Sequence, residues 1–254
     1  MSTIDTELDY FEGLTSISAV IKSIQNQTSD RIIHKILFDP SKAQKRFREL
    51  KFLHHASSQL GFELAEASAD EIDTLTSGTT HGGFVAVCSK RNLPALNVNF
   101  LTNNNFFVLI DGLEDPYNFG YSVRSLYAAG VDGIILPERN WLEFSSTVAR
   151  SSAGTSELAN IYISDPTDAV KLFKDNGFEI VCAEIRDSVS IYEHSFDKPV
   201  LLVVGGEKRG ISRKILDLAD TNVRIEYGRE FMGSLPSASA ISVIAFEILR
   251  QRSK

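Results

Sequence analysis

Six apolar runs in the second half of the chain, each followed by a stretch of helical length, constrain the fold more than any other feature. They are FFVLI (106–110), VDGIIL (131–136), NIYIS (160–164), FEIVCAEI (178–185), PVLLVVGG (199–206) and VRIEY (223–227). The intervening segments predict helices starting near residues 120, 141, 166, 211 and 238. Asp165 before Pro166 is an N-cap with proline at the first helical position, and Gly177 stops that helix. Strands this continuously apolar are buried on both faces, so the pattern predicts an α/β fold with a mostly parallel sheet covered by helices. Ligands of such sheets bind at the carboxyl ends of the strands. Ordinary connection rules favour an unknotted, doubly wound path.

The first half reads as a smaller α/β domain. LTSISAVIKSIQ predicts a helix capped by Thr15 or Ser16, and RIIHKILF (31–38) a strand. Pro40 and Ser41 open a helix that Gly61 closes. At about 100° per residue, Ala43, Phe47, Leu50, His54 and Ser57 share one face, with the charged residues on the remaining surface. FELAEA and GFVAVCS supply two further strands, the second preceded by the His81-Gly82-Gly83 turn. Between the halves, KRNLPALNVNFLTNNN (90–105) is Asn-rich and aperiodic, so the expected boundaries are 1–95, a linker at 96–105, and 106–254.

Hydrophobic content of 43% and charged content of 23% are those of a globular protein. No apolar run approaches the roughly 20 residues that would span a bilayer, and MSTIDTELDYFEG lacks a basic-then-apolar signal, so no membrane association is expected. Cys88 and Cys182 lie in apolar runs and read as reduced core residues of a cytoplasmic protein, with no metal site. The net charge of −7 opposes indiscriminate nucleic-acid binding. Residues 42–55 run the other way, with five Lys/Arg against one acidic residue. Lys45, Arg46, Arg48 and Lys51 there are candidate phosphate contacts, although a solvated helix face explains the same charges.

Three strand ends carry unusual loops. DPYNFGYSVR (115–124) combines Asn118, Gly120 and Arg124; a glycine at a helix start admits an anion, and a guanidinium offers a fork of donors. A plain turn with a solvated arginine fits equally. GGEKRG (205–210) lacks the Lys-Ser/Thr ending of a phosphate-cradling P-loop and is not GxGxxG. Its glycines permit close backbone contact, while Glu207 could form an ordinary loop ion pair. SLPSASA (234–240) places small residues at a helix start, where they can pack tightly or serve as caps.

Taken together and in this order, DPYNFGYSVRSLYAAGVDGIIL, LLVVGGEKRGIS and VRIEYGREFMGSLPSASA resemble the three motifs of the SpoU/TrmH family of RNA ribose 2′-O-methyltransferases. RSSAGTSELANIYI (150–163) fits the same family. The first half, with SGTTHGGFVAV (77–87), resembles the family's N-terminal RNA-binding domain of ribosomal-protein-like fold. The resemblance implies a trefoil-knotted C-terminal domain, S-adenosylmethionine as cofactor, and a homodimer formed through that domain. It implies RNA as substrate, ribosomal rather than transfer RNA, by analogy with members that carry such an N-terminal domain.

The resemblance also assigns residues. Asn118, Arg124, Glu207 and Ser234 fall at catalytic-site positions, and Gly205, Ile225 and Leu235 at cofactor contacts. Arg124 would position the target phosphate and hydroxyl; a guanidinium is a poor base, which leaves the proton acceptor open. Pro236 departs from the family's usual asparagine, and Glu226 stands where a proline-type residue precedes the third motif. Two other classes compete: a catalytically silent RNA-binding module, favoured by Pro236, and a nucleotide-dependent oxidoreductase, opposed by the missing GxGxxG.

Overall fold

The computed structural model describes residues 7–76, 80–101, 106–138, 144–206, 208–230 and 232–253. The chain divides into two compact units, Met1–Asn92 with Trp141–Leu158, and Leu93–Asn140 with Ala159–Lys254.

In the first unit, β1 (Leu8–Glu12) runs straight into α1 (Gly13–Gln25). There follow β2 (Ile33–Phe38), α2 (Phe47–Leu60), β3 (Glu63–Glu66), α3 (Ala69–Leu75) and β4 (Phe84–Ser89). The sheet order is β1-β4-β2-β3, antiparallel except for the β2/β3 pair. Phe11, Ile17, Ile21, Ile36, Leu53 and Phe84 form its core.

Helix α2 differs from its sequence pattern in two ways. Pro40–Lys42 form a separate 3-10 turn capped by Asp39, and the α-helix begins only at Phe47. Phe47 is 69% exposed and His54 is exposed as well; Leu50 is inward as expected, joined by Leu53 and Ala56. Gly61 closes the helix as expected, with a left-handed φ of 77° that a side chain would strain. The start of α1 at Gly13, with Glu12 as N-cap, likewise replaces the expected cap at Thr15 or Ser16.

The second unit begins with a segment the sequence reads as linker. The Leu96 N–H donates to the Ile163 carbonyl at 2.9 Å, and the Phe100 ring stacks on Tyr162 at 4.5 Å. Residues 102–105 lie outside the described part. Then come β5 (Phe106–Asp111), α4 (Pro116–Ala128) and β6 (Gly133–Leu136). The chain next contributes α5 (Ser145–Ser151) and α6 (Thr155–Leu158) to the first unit.

It returns with β7 (Ile161–Ile163), α7 (Pro166–Asp175), β8 (Glu179–Ala183), β9 (Val189–Ser190) and β10 (Val200–Gly205). The last elements are α8 (Arg213–Leu216), β11 (Thr221–Arg224) and α9 (Ser237–Arg252). The sheet order is β7-β6-β5-β10-β8-β11-β9 and every pair is parallel. The apolar runs therefore deliver the sheet they predict. Phe107, Leu109, Phe173, Ile180, Leu201 and Val203 fill its core.

A buried ion network fixes α6 within the first unit. Arg31 donates to Glu157 Oε2 at 2.7 Å and to Asp9 Oδ2 at 2.5 Å, with its guanidinium 4.7 Å from the Phe11 ring centre. Burial alone would lower the Arg31 pKa, but the Glu157 and Asp9 carboxylates more than offset it and the net shift is upward. Cys88 and Cys182 are both buried free thiols, as their apolar runs predict, and burial pushes each up to about 12.

Candidate active site

A cavity of 520 Å³ opens where the chain leaves β8, β10 and β11. Its walls include Gly205, Gly206, Gly210 and Ile211 after β10, and Ile225, Tyr227, Ser234 and Leu235 after β11. Ala240 and Ile244 of α9 and Glu184 and Ile185 after β8 also line it. This is the carboxyl edge of a parallel sheet, where backbone N–H and C=O groups no longer pair with a neighbouring strand.

The glycines in the wall are demanded by the protein's own backbone rather than by a ligand alone. A Cβ on Gly205 would lie 2.3 Å from the Gly210 carbonyl carbon. One on Gly206 would lie 2.1 Å from the Gly112 carbonyl oxygen, so the loops after β5 and β10 meet backbone to backbone. The Gly210 N–H donates to the Gly206 carbonyl at 3.0 Å, closing the second loop on itself. Lys208 pairs with Glu114 across the two loops at 3.0 Å; both side chains are solvated, so this pair adds little.

The third loop is braced by Tyr227, whose hydroxyl accepts the Leu235 N–H at 3.1 Å. Pro236 occupies the N-cap of α9 and supplies no side-chain acceptor. Its carbonyl takes the Ser239 and Ala240 N–H groups, and the helix start at Ser237 lines the cavity. The positive end of the α9 dipole therefore faces the cavity without a side-chain cap.

Of the residues singled out in the sequence, Gly205, Ile225, Ser234 and Leu235 converge on this cavity. Asn118 and Arg124 are not among its walls. The Asn118 N–H is capped by Asp115 Oδ1 at 2.7 Å, and its carbonyl accepts from the Ser122 hydroxyl at 2.8 Å. Because Asp115 and Pro116 start α4 earlier than expected, Gly120 is a buried residue inside the helix, not an anion-admitting start. Arg124 then sits in the third turn, exposed, and its side chain has no hydrogen bond or ion pair among the described residues. Glu207 lies outside the described residues.

Tyr227, Glu184 and Ile185 line the cavity although the sequence motifs do not single them out. The signal for the last two is the end of FEIVCAEI, a fourth strand terminus beside the three with unusual loops. In the first unit, Lys45, Arg46, Arg48 and Lys51 are all exposed, and Arg46 pairs with Glu49 at 2.9 Å.

Comparison with known proteins agrees with this architecture. The SpoU rRNA Methylase family matches residues 105–246, and the RNA 2′-O ribose methyltransferase substrate-binding family matches residues 10–94. A Staphylococcus saprophyticus protein described as a TrmH family tRNA/rRNA methyltransferase is 32% identical over 146 residues, 57% of this chain and 58% of that one. The match thus spans somewhat more than half the length of such curated relatives.

Among solved structures, an rRNA methyltransferase from Sinorhizobium meliloti superposes with a TM-score of 0.78 at 23% identity, covering 96% of this chain and 88% of the other. The SpoU methyltransferase AviRb from Streptomyces viridochromogenes, in complex with AdoMet, gives 0.75 at 22% identity, covering 98% and 91%. At such identities these likenesses speak for the fold. With the family matched over more than half its length, the chain belongs to the SpoU rRNA methylase family.

Proposed function

We propose that the protein is an S-adenosylmethionine-dependent RNA methyltransferase acting on a ribose 2′-hydroxyl, with ribosomal RNA favoured over transfer RNA. The observation that carries this reading is the convergence of Gly205, Ile225, Ser234 and Leu235 on one cavity at the carboxyl edge of the parallel sheet. Its volume suits a cofactor-sized molecule, and its mixture of apolar side chains with backbone polar groups suits an adenosine. The AdoMet-bound AviRb structure shares the fold. The threaded chain path of the family belongs to the same proposal.

When bound, the cofactor supplies an electrophilic methyl group with a neutral leaving group, so the protein's task is alignment and removal of one proton. Arg124, exposed on α4, is the candidate for holding the RNA phosphate and orienting the hydroxyl. Asn118 and Ser234 are assigned to the same site, together with Glu207. Lys45, Arg46, Arg48 and Lys51 are the candidate phosphate contacts of the first unit.

Assembly as a homodimer fits the second unit. Tyr117, Tyr121 and Tyr127 of α4 and Phe246 of α9 are large aromatic side chains left well exposed on two helices that pack together. Sedimentation equilibrium should give twice the chain mass. A cytoplasmic location fits the two buried free thiols.

The direct test of the cavity is thermal unfolding with and without S-adenosylmethionine. A ligand that binds only the native state raises the melting temperature. No shift at saturating cofactor would sink the assignment. A silent RNA-binding module is the second reading, favoured by Pro236 at the α9 N-cap. It predicts RNA binding without turnover of labelled methyl donor.

A further inference from the structure

A second cavity, of 360 Å³, lies wholly within the first unit and has no part in the chemistry above. Glu12, Gly13, Arg46, His81, Gly82 and Arg150 are among its walls. Glu12 is only 7% exposed. Its Oε1 accepts from Arg150 at 2.7 Å, whereas Oε2 is buried and has no hydrogen-bond partner among the described residues. Leaving a buried acceptor unsatisfied is costly, more so when it is charged, so a ligand that donates to it recovers that cost.

The surroundings define what such a ligand carries elsewhere. Helix α1 starts at Gly13 beside Glu12 with no side-chain cap, leaving its first N–H groups for an anion. Among the described residues the Arg46 guanidinium makes one ion pair, a solvated one with Glu49, which a phosphate can displace. His81 is part of the wall rather than a ligand group. Its Nδ1 accepts the Gly83 N–H at 3.1 Å, so Nε2 carries the proton and donates to Asp73 at 2.8 Å. Phe47, which follows Arg46 in the chain but is not among the cavity walls, is 69% exposed and presents an aromatic face.

A buried carboxylate acceptor, an open helix start and a displaceable guanidinium ask for a ligand with N–H donors at one end and a phosphate at the other. Unstacked RNA bases are read on their Watson–Crick edges and stacked on exposed aromatic rings. Guanine alone presents two adjacent donors there, N1–H and the N2 amino group, to a group that can only accept. Adenine and cytosine put a ring-nitrogen acceptor beside their amino group, and uracil flanks its single donor with two carbonyl oxygens. We propose that this cavity reads an unstacked guanine nucleotide of the RNA substrate, with Glu12 taking the base and Arg46 the phosphate. The inference rests on the reading of the protein as an RNA-modifying enzyme and names a recognition element for it.

The test is equilibrium binding of GMP, IMP and AMP to the full chain, with excess S-adenosylmethionine present to occupy the other cavity. GMP should bind about tenfold or more tighter than AMP, with IMP, which lacks the amino donor, in between. Glu12→Gln keeps the side-chain volume and can still accept from Arg150, but it should abolish the preference without changing cofactor affinity. Arg46→Ala should weaken all three nucleotides alike and leave their ratio intact. AMP binding as tightly as GMP in the wild-type chain overturns the proposal, whatever the folding of the variants. So does a preference that persists in a folded Glu12→Gln protein. RNA methylation without guanine preference would remove this pocket alone. Guanine preference without any methyl transfer would remove the reaction and leave the pocket standing.

Discussion

Gly206 and Gly112 touch through their backbones, and there is no room for a single methyl group between them: a Cβ on Gly206 would fall 2.1 Å from the Gly112 carbonyl oxygen. The two residues join the loops that follow β5 and β10, neighbouring strands in register from Phe106 and Val200 onward. Gly206→Ala must therefore push two loops apart at the cavity wall. It should destabilise the protein by about 1–3 kcal/mol or more and weaken cofactor binding. Gly228→Ala is the control, since nothing lies within 4 Å of its Cβ position. Denaturant unfolding of the two variants checks the claim, and equal stability would refute it.

The role proposed for Arg124 separates RNA positioning from cofactor binding. The residue is outside the 520 Å³ cavity, so Arg124→Ala should eliminate methyl transfer with little change in cofactor affinity. Arg124→Lys should fail as well, because a point charge does not replace a planar fork. A lysine variant of full activity would contradict the assigned role.

The Arg31–Glu157 pair is buried, and removing one partner strands the other charge. Glu157→Ala should cost about 3–5 kcal/mol. Urea denaturation gives the value directly; a loss within the range of a surface pair would mean the network is not what holds α6 in place.

Much of this architecture can be read from the residues, and the exceptions have physical causes. The parallel sheet follows from runs such as LLVV and FFVLI, whose burial on both faces leaves no alternation to misread. The strand β1 escapes notice because LDYFE has no apolar/polar alternation, and it passes straight into α1 at Gly13, where a left-handed φ of 76° turns the chain. Helix α3, at 7 residues, is too short for its periodicity to stand out, although Ser68 and Glu71 form a capping box at its start. The membership of α5 and α6 in the first unit has no local signature at all. It comes from contacts distant in sequence: Arg31 with Glu157, 126 positions apart, Glu12 with Arg150, and Ala149 packed into the first unit's core.

At the site, the cavity-lining positions Gly205, Ile225 and Leu235 are legible because their loops terminate strands whose ends are legible. Helix α4 starts earlier than the pattern suggests because the Asp115 side chain caps a helix already begun at Pro116, which turns Asn118 from a loop residue into a helical one. Phe47 has the spacing of a core residue. Its exposure reflects a helix that starts at that residue, after the Pro40–Lys42 turn has redirected the chain.

The thiols offer a check on packing in both units. With burial pushing Cys88 and Cys182 up to about 12, neither should be a thiolate at a pH of about 8. Iodoacetamide should leave both unmodified in the native protein and alkylate both after unfolding, as read by mass spectrometry. Rapid native labelling of either would show that its strand is not buried as described.

The charges in and just before α2 test how RNA is held. Reversing Arg46, Arg48 and Lys51 should weaken RNA binding and flatten its salt dependence by roughly one counterion for each phosphate no longer neutralised. Cofactor binding should be unchanged. A triple variant with the wild-type salt slope would place the RNA on another surface.

The central claim is tested most directly by incubating the protein with methyl-labelled S-adenosylmethionine and total RNA, then digesting the RNA to nucleosides. The account predicts label in a 2′-O-methylnucleoside, and none when Arg124→Ala replaces the wild-type protein. Label on a base, or no label from a protein that binds the cofactor, would contradict it.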